Sequence, residues 1–140
     1  MSDSDLIKKA EELLAACQVV TIASVDGNGF PRPVPMAKGE TQGCGVVWMA
    51  TGADSVKVSD FRHNPKAGLC YEKDGSSVCL RGCVEIVADD SIRKAKWQDW
   101  YIKHFPGGPA DPNYILLRFT AHEATIWIDR HFTHVELKQT

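Results

Sequence analysis

The stretch VVWMATGADSVKVSDFRHNP, residues 46–65, predicts a strand, a tight turn and the start of a helix. Its first five residues are apolar and rich in β-branched and aromatic side chains, a composition that favours a buried strand. The strand pattern stops at Thr51-Gly52. Asp54 and Ser55 are both good N-cap residues for one or two helical turns, which Asn64-Pro65 would end. The chain therefore passes from a buried strand into the first turn of a helix within a few residues.

This junction has the composition of an anion site. Thr51, Ser55 and Lys57 place two hydroxyl groups and one ammonium group near the N–H groups of the first helical turn, which have no partner within the helix. We expect a phosphate group to suit that arrangement. A lysine on a surface turn is also commonly just solvated, and the pattern alone does not separate these two interpretations.

Length and composition indicate one globular domain over residues 1–140. The chain is 44% hydrophobic and 24% charged, which excludes disordered and fibrous classes. Its net charge of −2 gives no electrostatic reason to expect nucleic acid or an anionic membrane as a partner. No apolar run approaches the roughly 20 residues of a membrane helix, and the acidic N-terminus does not resemble a signal peptide. We expect a cytoplasmic protein.

Neither the cysteines nor the histidines predict a metal or redox site. The five cysteines are scattered, odd in number and without a CxxC motif, so we expect buried free thiols: Cys17, Cys44, Cys70, Cys79 and Cys83. The five histidines show no spacing that is typical of a metal ligand set, and we expect no metal.

A proline occupies every other position of the second predicted strand, residues 30–36. The Asp26–Gly29 segment before it predicts a hairpin with the preceding strand, residues 19–25. Because alternate residues direct their backbone groups to the same side, the prolines remove N–H donors from one edge only and leave its carbonyls. We expect an edge strand or a gap in a barrel, where those carbonyls could accept an imide-like N–H. The alternative is that the prolines only prevent edge-to-edge aggregation.

The rest of the chain predicts a mainly β (α+β) domain, an antiparallel Greek-key barrel with peripheral helices. An amphipathic helix covers residues 6–17. Further strands are predicted at 67–72, 77–87, 114–119 and 123–129, with a helix from Asp89 to about His104. That helix is apolar on two sides. Trp97, Trp100 and Trp127 could cover a ligand ring or simply pack in the core.

Four sequence segments resemble the FMN-binding split-barrel superfamily of pyridoxamine 5′-phosphate oxidase. They are Arg32-Pro-Val-Pro-Met36, Thr51-x-x-x-Ser55-x-Lys57, Asn64-Pro-x-Ala-x-Leu69 and Gly82-x-x-Glu85. The similarity runs from about Val19 to Val87, and the short length and the 48–51 strand are more similar to the general stress protein type.

This resemblance implies a homodimer of split barrels with FMN in a groove at the subunit interface. Arg32, Ser55 and Lys57 would hold the phosphate, and Thr51 with the Ala50 backbone would steady the phosphate or the ribityl chain. The backbone of Pro33 and Val34 would lie along the isoalloxazine ring. The partner subunit would cover the rest of the ring.

The chain also departs from the oxidase proper. Val56, counted among the cofactor-binding positions, stands where the oxidase has an arginine directly before the lysine. Ser77 and Cys79 stand where it has glutamine and arginine residues in a later strand. The C-terminal Arg-Leu-x-Pro segment that contacts pyridoxal has no counterpart, so pyridoxamine phosphate oxidation is not expected.

The expected function is therefore that of another FMN-dependent oxidoreductase, acting between a small-molecule electron donor and acceptor. No side chain is identified as a general acid or base, and the flavin would carry the chemistry. Two alternatives stay open. The chain could be a flavin carrier or stress-linked protein without turnover, or the barrel could bind haem or a deazaflavin.

Overall fold

The computed structural model describes residues 1–137, so positions 138–140 of the predicted domain lie outside the described residues. Within that range the chain forms three α-helices and eight strands. In chain order they are α1 (Asp3–Ala16), β1 (Val19–Val25), β2 (Pro31–Ala37), β3 (Thr41–Gln42), β4 (Val46–Gly52), α2 (Val56–His63), β5 (Lys66–Lys73), β6 (Ser76–Val87), α3 (Asp90–Ala95), β7 (Tyr114–Ile128) and β8 (His131–Glu136). Short 3₁₀ turns lie at Asp99–Lys103 and Gly108–Ala110.

All strand pairs are antiparallel, and the strands follow the order β2-β1-β5-β6-β7-β4-β3, with β8 on the second half of β7. The β1–β5 and β4–β7 neighbours are crossovers of the Greek-key kind. Gly39 N–H donates to the Trp48 carbonyl at 2.7 Å, so the barrel closes at the start of β4. Farther along, β2 and β4 separate. The predicted mainly β split barrel with peripheral helices is confirmed.

Strand β2 is the edge strand that its prolines predict. Among the strands of residues 1–137 it pairs with β1 alone, and Pro31, Pro33 and Pro35 lie opposite Val25, Ala23 and Thr21. Because a proline cannot donate to the ladder, the residues between the prolines make the hydrogen bonds to β1. The carbonyls of the three prolines consequently point to the open side of the strand.

One inner core fills the barrel. Helix α1 covers one end with Leu6, Ala10 and Leu14, and a capping box between Ser2 and Asp5 fixes its start. Alternate residues of the long strands face this core, as expected for a sheet with one buried face. Within residues 1–137, no helix is both long and apolar enough to cross a membrane.

Strand β7 differs from the prediction, which divided it at residues 120–122. It is a single strand of 15 residues. The register shifts between Arg81 and Gly82 of β6, which leaves His122 of β7 as the extra residue of a bulge. Ala121 and Ala124 both face the core, although they are three residues apart. The extra residue shifts the alternation, so that the residues after the bulge again direct their apolar side chains into the core. This break in the two-residue period explains why the sequence pattern predicted two strands.

The predicted helix from Asp89 to about His104 is also wrong in extent. Helix α3 ends at Ala95, and the chain is extended at Gln98 before the 3₁₀ turn. Trp97 turns inward at this break, and its ring centroid lies 5.5 Å from that of Tyr101 and 5.1 Å from that of Tyr114. A second cluster thus covers the outer face of β4 and β7, formed by Trp48, Val87, Tyr101, Phe105, Tyr114 and Leu116. Packing of aromatic side chains has overridden the helical pattern.

Gly82 is predicted to be intolerant of any side chain. A Cβ there would fall on the Thr120 carbonyl oxygen and 2.8 Å from Ala121 Cα, so Gly82→Ala must push apart the two central strands. We expect the variant to lose about 2 kcal/mol or more of unfolding free energy in urea denaturation. Gly68→Ala is the matched control, because the Cβ would meet only the Leu80 carbonyl oxygen at 3.8 Å. Equal stability of the two variants would contradict this account of the bulge.

Candidate functional site

Three elements carry the residues predicted to hold a cofactor. Strand β2 contributes Arg32, Pro33 and Val34, the end of β4 contributes Ala50 and Thr51, and the start of α2 contributes Ser55, Val56 and Lys57. The sheet order places β2 and the end of β4 on the two sides of the split, and α2 follows β4 directly.

Arg32 is fastened to helix α2 through Asp60. Arg32 Nε donates to Asp60 Oδ2 at 2.9 Å, and the Ser24 hydroxyl donates to the same oxygen at 2.7 Å. Ser24 lies opposite Arg32 in the β1–β2 ladder and is almost fully buried. These two hydrogen bonds hold the pKa of the Asp60 carboxyl below its usual range. The link fixes β2 against α2, which sequence reasoning did not predict.

The start of α2 presents groups without partners inside the helix. Ser55 has the extended backbone of an N-cap residue, but its side chain makes no capping hydrogen bond. Thr51 Oγ1 instead donates to Ser55 Oγ at 3.4 Å, and no acidic residue stands in the first turn. The N–H groups of that turn therefore remain available, and the helix dipole makes them favourable for an anion.

Lys57 is a half-buried cation in the same turn. No carboxylate among residues 1–137 lies within ion-pair distance of its ammonium group. Burial lowers the pKa of Lys57, because desolvation disfavours its charged form. Asp60, which binds Arg32, follows Lys57 by three residues in α2. Residues at this spacing are neighbours on the surface of a helix. Both predicted cations thus belong to one side of α2.

A cleft of about 410 Å³ lies in the split between β2 and β4. It is lined by Pro35, Met36, Ala37, Ala50, Thr51, Gly52, Trp100, Tyr101, His104, Phe105 and Asn113. Thr51 therefore belongs both to the cleft and to the hydroxyl pair at α2. Ala50 lines the cleft as well, whereas the other predicted residues stand outside its lining. Pro33 is exposed, Val34 packs against the core, and Val56 is 58% exposed.

The aromatic wall of this cleft was missed in part. Trp100 lines it, as one of the two interpretations allowed, whereas Trp97 packs in the second cluster and Trp127 is exposed on another strand. Tyr101 was predicted only as part of the second apolar side of the 89–104 helix, and Phe105 was not singled out. Burial raises the pKa of Tyr101 to about 12, so its hydroxyl stays protonated at neutral pH. The close spacing of aromatic residues from 97 to 105 is the sequence signal that could have predicted this wall.

A family model described as pyridoxamine 5′-phosphate oxidase like matches residues 5–138. The chain belongs to this family. A comparison with curated proteins gave no match.

Several solved structures share the fold. A Clostridium acetobutylicum protein related to general stress protein 26 aligns with a TM-score of 0.85 at 24% identity, over 98% of this chain and 97% of that chain. A Nostoc punctiforme FMN-binding protein related to pyridoxamine 5′-phosphate oxidase gives 0.66 at 15% identity, over 97% and 94%. A haem-binding protein from Mycobacterium smegmatis gives 0.75 at 15% identity, over 94% of this chain and 57% of that chain.

This member of the pyridoxamine 5′-phosphate oxidase-like family also has a larger hollow, of about 880 Å³, at the opposite end of β4. Trp48, Glu85 and Arg118 line it, and Arg118 Nη2 lies 3.0 Å from Glu85 Oε2. None of the predicted cofactor residues borders this hollow. Within residues 1–137, no three His, Cys, Asp or Glu side chains come together as a metal site.

The Arg32–Asp60 link predicts a pH-dependent contribution to stability. A carboxyl whose pKa is lowered on folding stabilises the fold above its unfolded pKa of 3.8, and the contribution disappears as pH falls through the folded pKa. Asp60→Asn should therefore lose about 1 kcal/mol at pH 7, with a smaller difference from the parent well below pH 3.8. Urea denaturation at the two pH values measures this. The exposed Asp99→Asn is the control, and a loss independent of pH would contradict the assignment.

Proposed function

We propose that the protein is an FMN-binding oxidoreductase, with residues 1–140 as one cofactor-binding domain. The observation that carries the proposal is the uncapped start of α2, to which Arg32 is also bound through Asp60. Among residues 1–137, the half-buried Lys57 of this turn has no carboxylate partner. Free N–H donors beside a positive charge suit the binding of a phosphate. Membership of the family and an FMN-binding neighbour support FMN as the molecule that brings it.

Each residue would have a separate role toward the phosphate. Lys57 would supply a point charge, and the N–H groups of the first turn of α2 would donate hydrogen bonds along the helix axis. Ser55 and Thr51 have hydroxyl groups that can turn from each other to the phosphate oxygens. Arg32 keeps further N–H donors beyond the one given to Asp60. Val56 would contribute no charge and only apolar contact.

Strand β2 would hold the ring system. The carbonyls of Pro33 and Pro35 face the open side of the strand, where no ladder competes for them. They can accept the imide N–H of an isoalloxazine ring, and the backbone of Pro33 and Val34 gives it a flat support. Ala50 and Thr51 lie across the split and connect this edge with α2. Bound FMN would supply hydride transfer at N5, and the protein residues would orient it.

Lys57→Met tests the phosphate assignment directly. Removing one charge-assisted contact should raise the Kd for FMN about tenfold or more, and should leave the Kd for riboflavin within about threefold. Fluorescence quenching of each flavin measures both constants.

Lys73→Met is the matched control, because Lys73 is exposed on the β5–β6 hairpin away from the site. Equal losses of FMN and riboflavin affinity in Lys57→Met would place the phosphate elsewhere. Failure of the parent protein to take up FMN at micromolar concentration would overturn the FMN proposal itself.

Turnover separates an oxidoreductase from a flavin carrier. The FMN-loaded protein is mixed anaerobically with NADH or NADPH and then with candidate acceptors, and flavin absorbance reports reduction and reoxidation. Reduction by a donor supports the enzyme. Failure with all donors favours the carrier or stress-linked protein.

Haem is the second candidate, because His104 stands in the aromatic cleft. His104 would supply an imidazole ligand to the haem iron, and Trp100 and Phe105 would pack against the flat ring. A haem-binding neighbour of the same fold supports this candidate. The absorbance spectrum after incubation with FMN, a deazaflavin and haem in turn shows which one binds.

A homodimer would complete the site. Phe30, which is 68% exposed, and Val56, which is 58% exposed, flank Arg32 and Lys57 in sequence. Exposed apolar side chains beside a polar site are typical of a contact surface. We propose that a second copy covers them and the outer side of the flavin ring.

Phe30→Ser should weaken this dimer and FMN binding together, because both depend on the same surface. Phe132→Ser is the control, since Phe132 is similarly exposed, at 63%, but lies on β8. Sedimentation velocity across a concentration series measures dimerisation in both variants. If only Phe132→Ser dissociated the dimer, the interface would lie on the β8 face and the proposal would be wrong.

A further inference from the structure

Two cysteines face each other across the β5–β6 hairpin. Cys70 of β5 is paired in register with Cys79 of β6, and their Sγ atoms are 3.5 Å apart. Neither thiol has another cysteine as close, and all five cysteines are free. The expectation of buried thiols is confirmed for Cys17 and Cys44. It is wrong for Cys70 and Cys83, which are half-buried, and for Cys79, which is exposed.

The hairpin turn fixes how close the two backbones come. Asp74 and Gly75 form a two-residue turn with φ values of 52° and 83°, the pattern of a type I′ hairpin. Lys73 and Ser76 then form the closing hydrogen-bonded pair, and hydrogen-bonded and non-hydrogen-bonded pairs alternate from there. Counting along the ladder makes Cys70–Cys79 a non-hydrogen-bonded pair. Such pairs have Cα atoms about 4.5 Å apart, near the lower end of the range for disulfides.

The environment makes the two thiols unequal. Tyr71 and Val78, next to them in sequence, point into the core, so the thiols lie on the outer face of the sheet between Thr21 and Thr125. Burial raises the pKa of the Cys70 thiol, and its hydrogen bond with Cys79 raises it further. Cys79 is the thiol that an oxidant can reach.

We propose that Cys70 and Cys79 form a reversible redox pair, which a small-molecule disulfide such as oxidised glutathione closes by thiol–disulfide exchange. The Cys79 thiolate attacks one sulfur of the small disulfide and releases one glutathione thiolate. Cys70 loses its proton to water and attacks Cys79 Sγ, which forms the protein disulfide and releases the second glutathione. The protein thus gives up two electrons and two protons, and one oxidised glutathione becomes two reduced ones.

The geometry also makes this bond easy to reopen. Cys79 is exposed on the outer face of the sheet, and exposed disulfides are among the readily reduced ones. Closure joins residues only nine positions apart, within a hairpin that already has its native register. It would therefore act on the outer surface of β5 and β6 without rearranging the core.

The test follows the mass of the intact protein during treatment with oxidised glutathione, after full reduction and removal of reductant. The parent protein should lose two hydrogens with only a transient glutathione adduct, and a non-reducing digest should join the peptides of Cys70 and Cys79. Cys70→Ser should keep one glutathione on Cys79. Cys79→Ser should react at Cys70 at least about tenfold more slowly.

Cys83→Ser is the matched control, because Cys83 is a half-buried thiol on the same strand opposite Lys66. It should close the disulfide as the parent protein does. A stable glutathione adduct on the parent protein, a cross-link that uses another cysteine, or a disulfide between two chains would overturn the proposal. The parent digest decides this without any variant, and the result does not depend on whether FMN binds.

Discussion

The missing N–H donors of β2 are the constraint on which the candidate site depends. Three alternating prolines leave one edge of β2 able to pair with β1 and the other unable to continue the sheet. A barrel of this size would otherwise close by pairing β2 with the end of β4. Because it cannot, the barrel keeps a split with carbonyls on one side and Ala50 and Thr51 on the other. The cleft is a direct consequence of the proline spacing.

The split also has to be supported from both ends. At one end the Gly39–Trp48 hydrogen bond joins the start of β4 to the chain after β2. At the other, Arg32 ties β2 to α2 through Asp60 and Ser24. Between these two supports the aromatic residues of the 97–105 segment pack over the outer face of β4. The opening is thus held at a fixed width by hydrogen bonds and packing, which preorganises it for a flat ligand.

The sequence predicted the features that depend on local chemistry, and missed those that depend on partners distant in the chain. The hairpin, the proline edge and the strand-turn-helix at residues 46–65 each follow from a few neighbouring residues. Three features could not be read locally. Asp60 meets Ser24 and Arg32 only in the folded barrel. His122 becomes a bulge because the core face must be restored, and Trp97 breaks a helix to reach Tyr114. The Cys70–Cys79 contact likewise needed the register of the hairpin, which alternation alone leaves open.

The charges at α2 explain why Lys57 dominates the proposed phosphate site. Arg32 carries a positive charge, but Asp60 at 2.9 Å neutralises much of it and Asp26 lies 3.9 Å away. Val56 adds none. A phosphate dianion at α2 would therefore meet one uncompensated cation, and neutral donors would have to supply the rest. The free N–H groups of the first turn and the two hydroxyls of Thr51 and Ser55 are such donors. They would act by hydrogen bonding and the helix dipole, so the proposed phosphate site would depend on geometry more than on net charge.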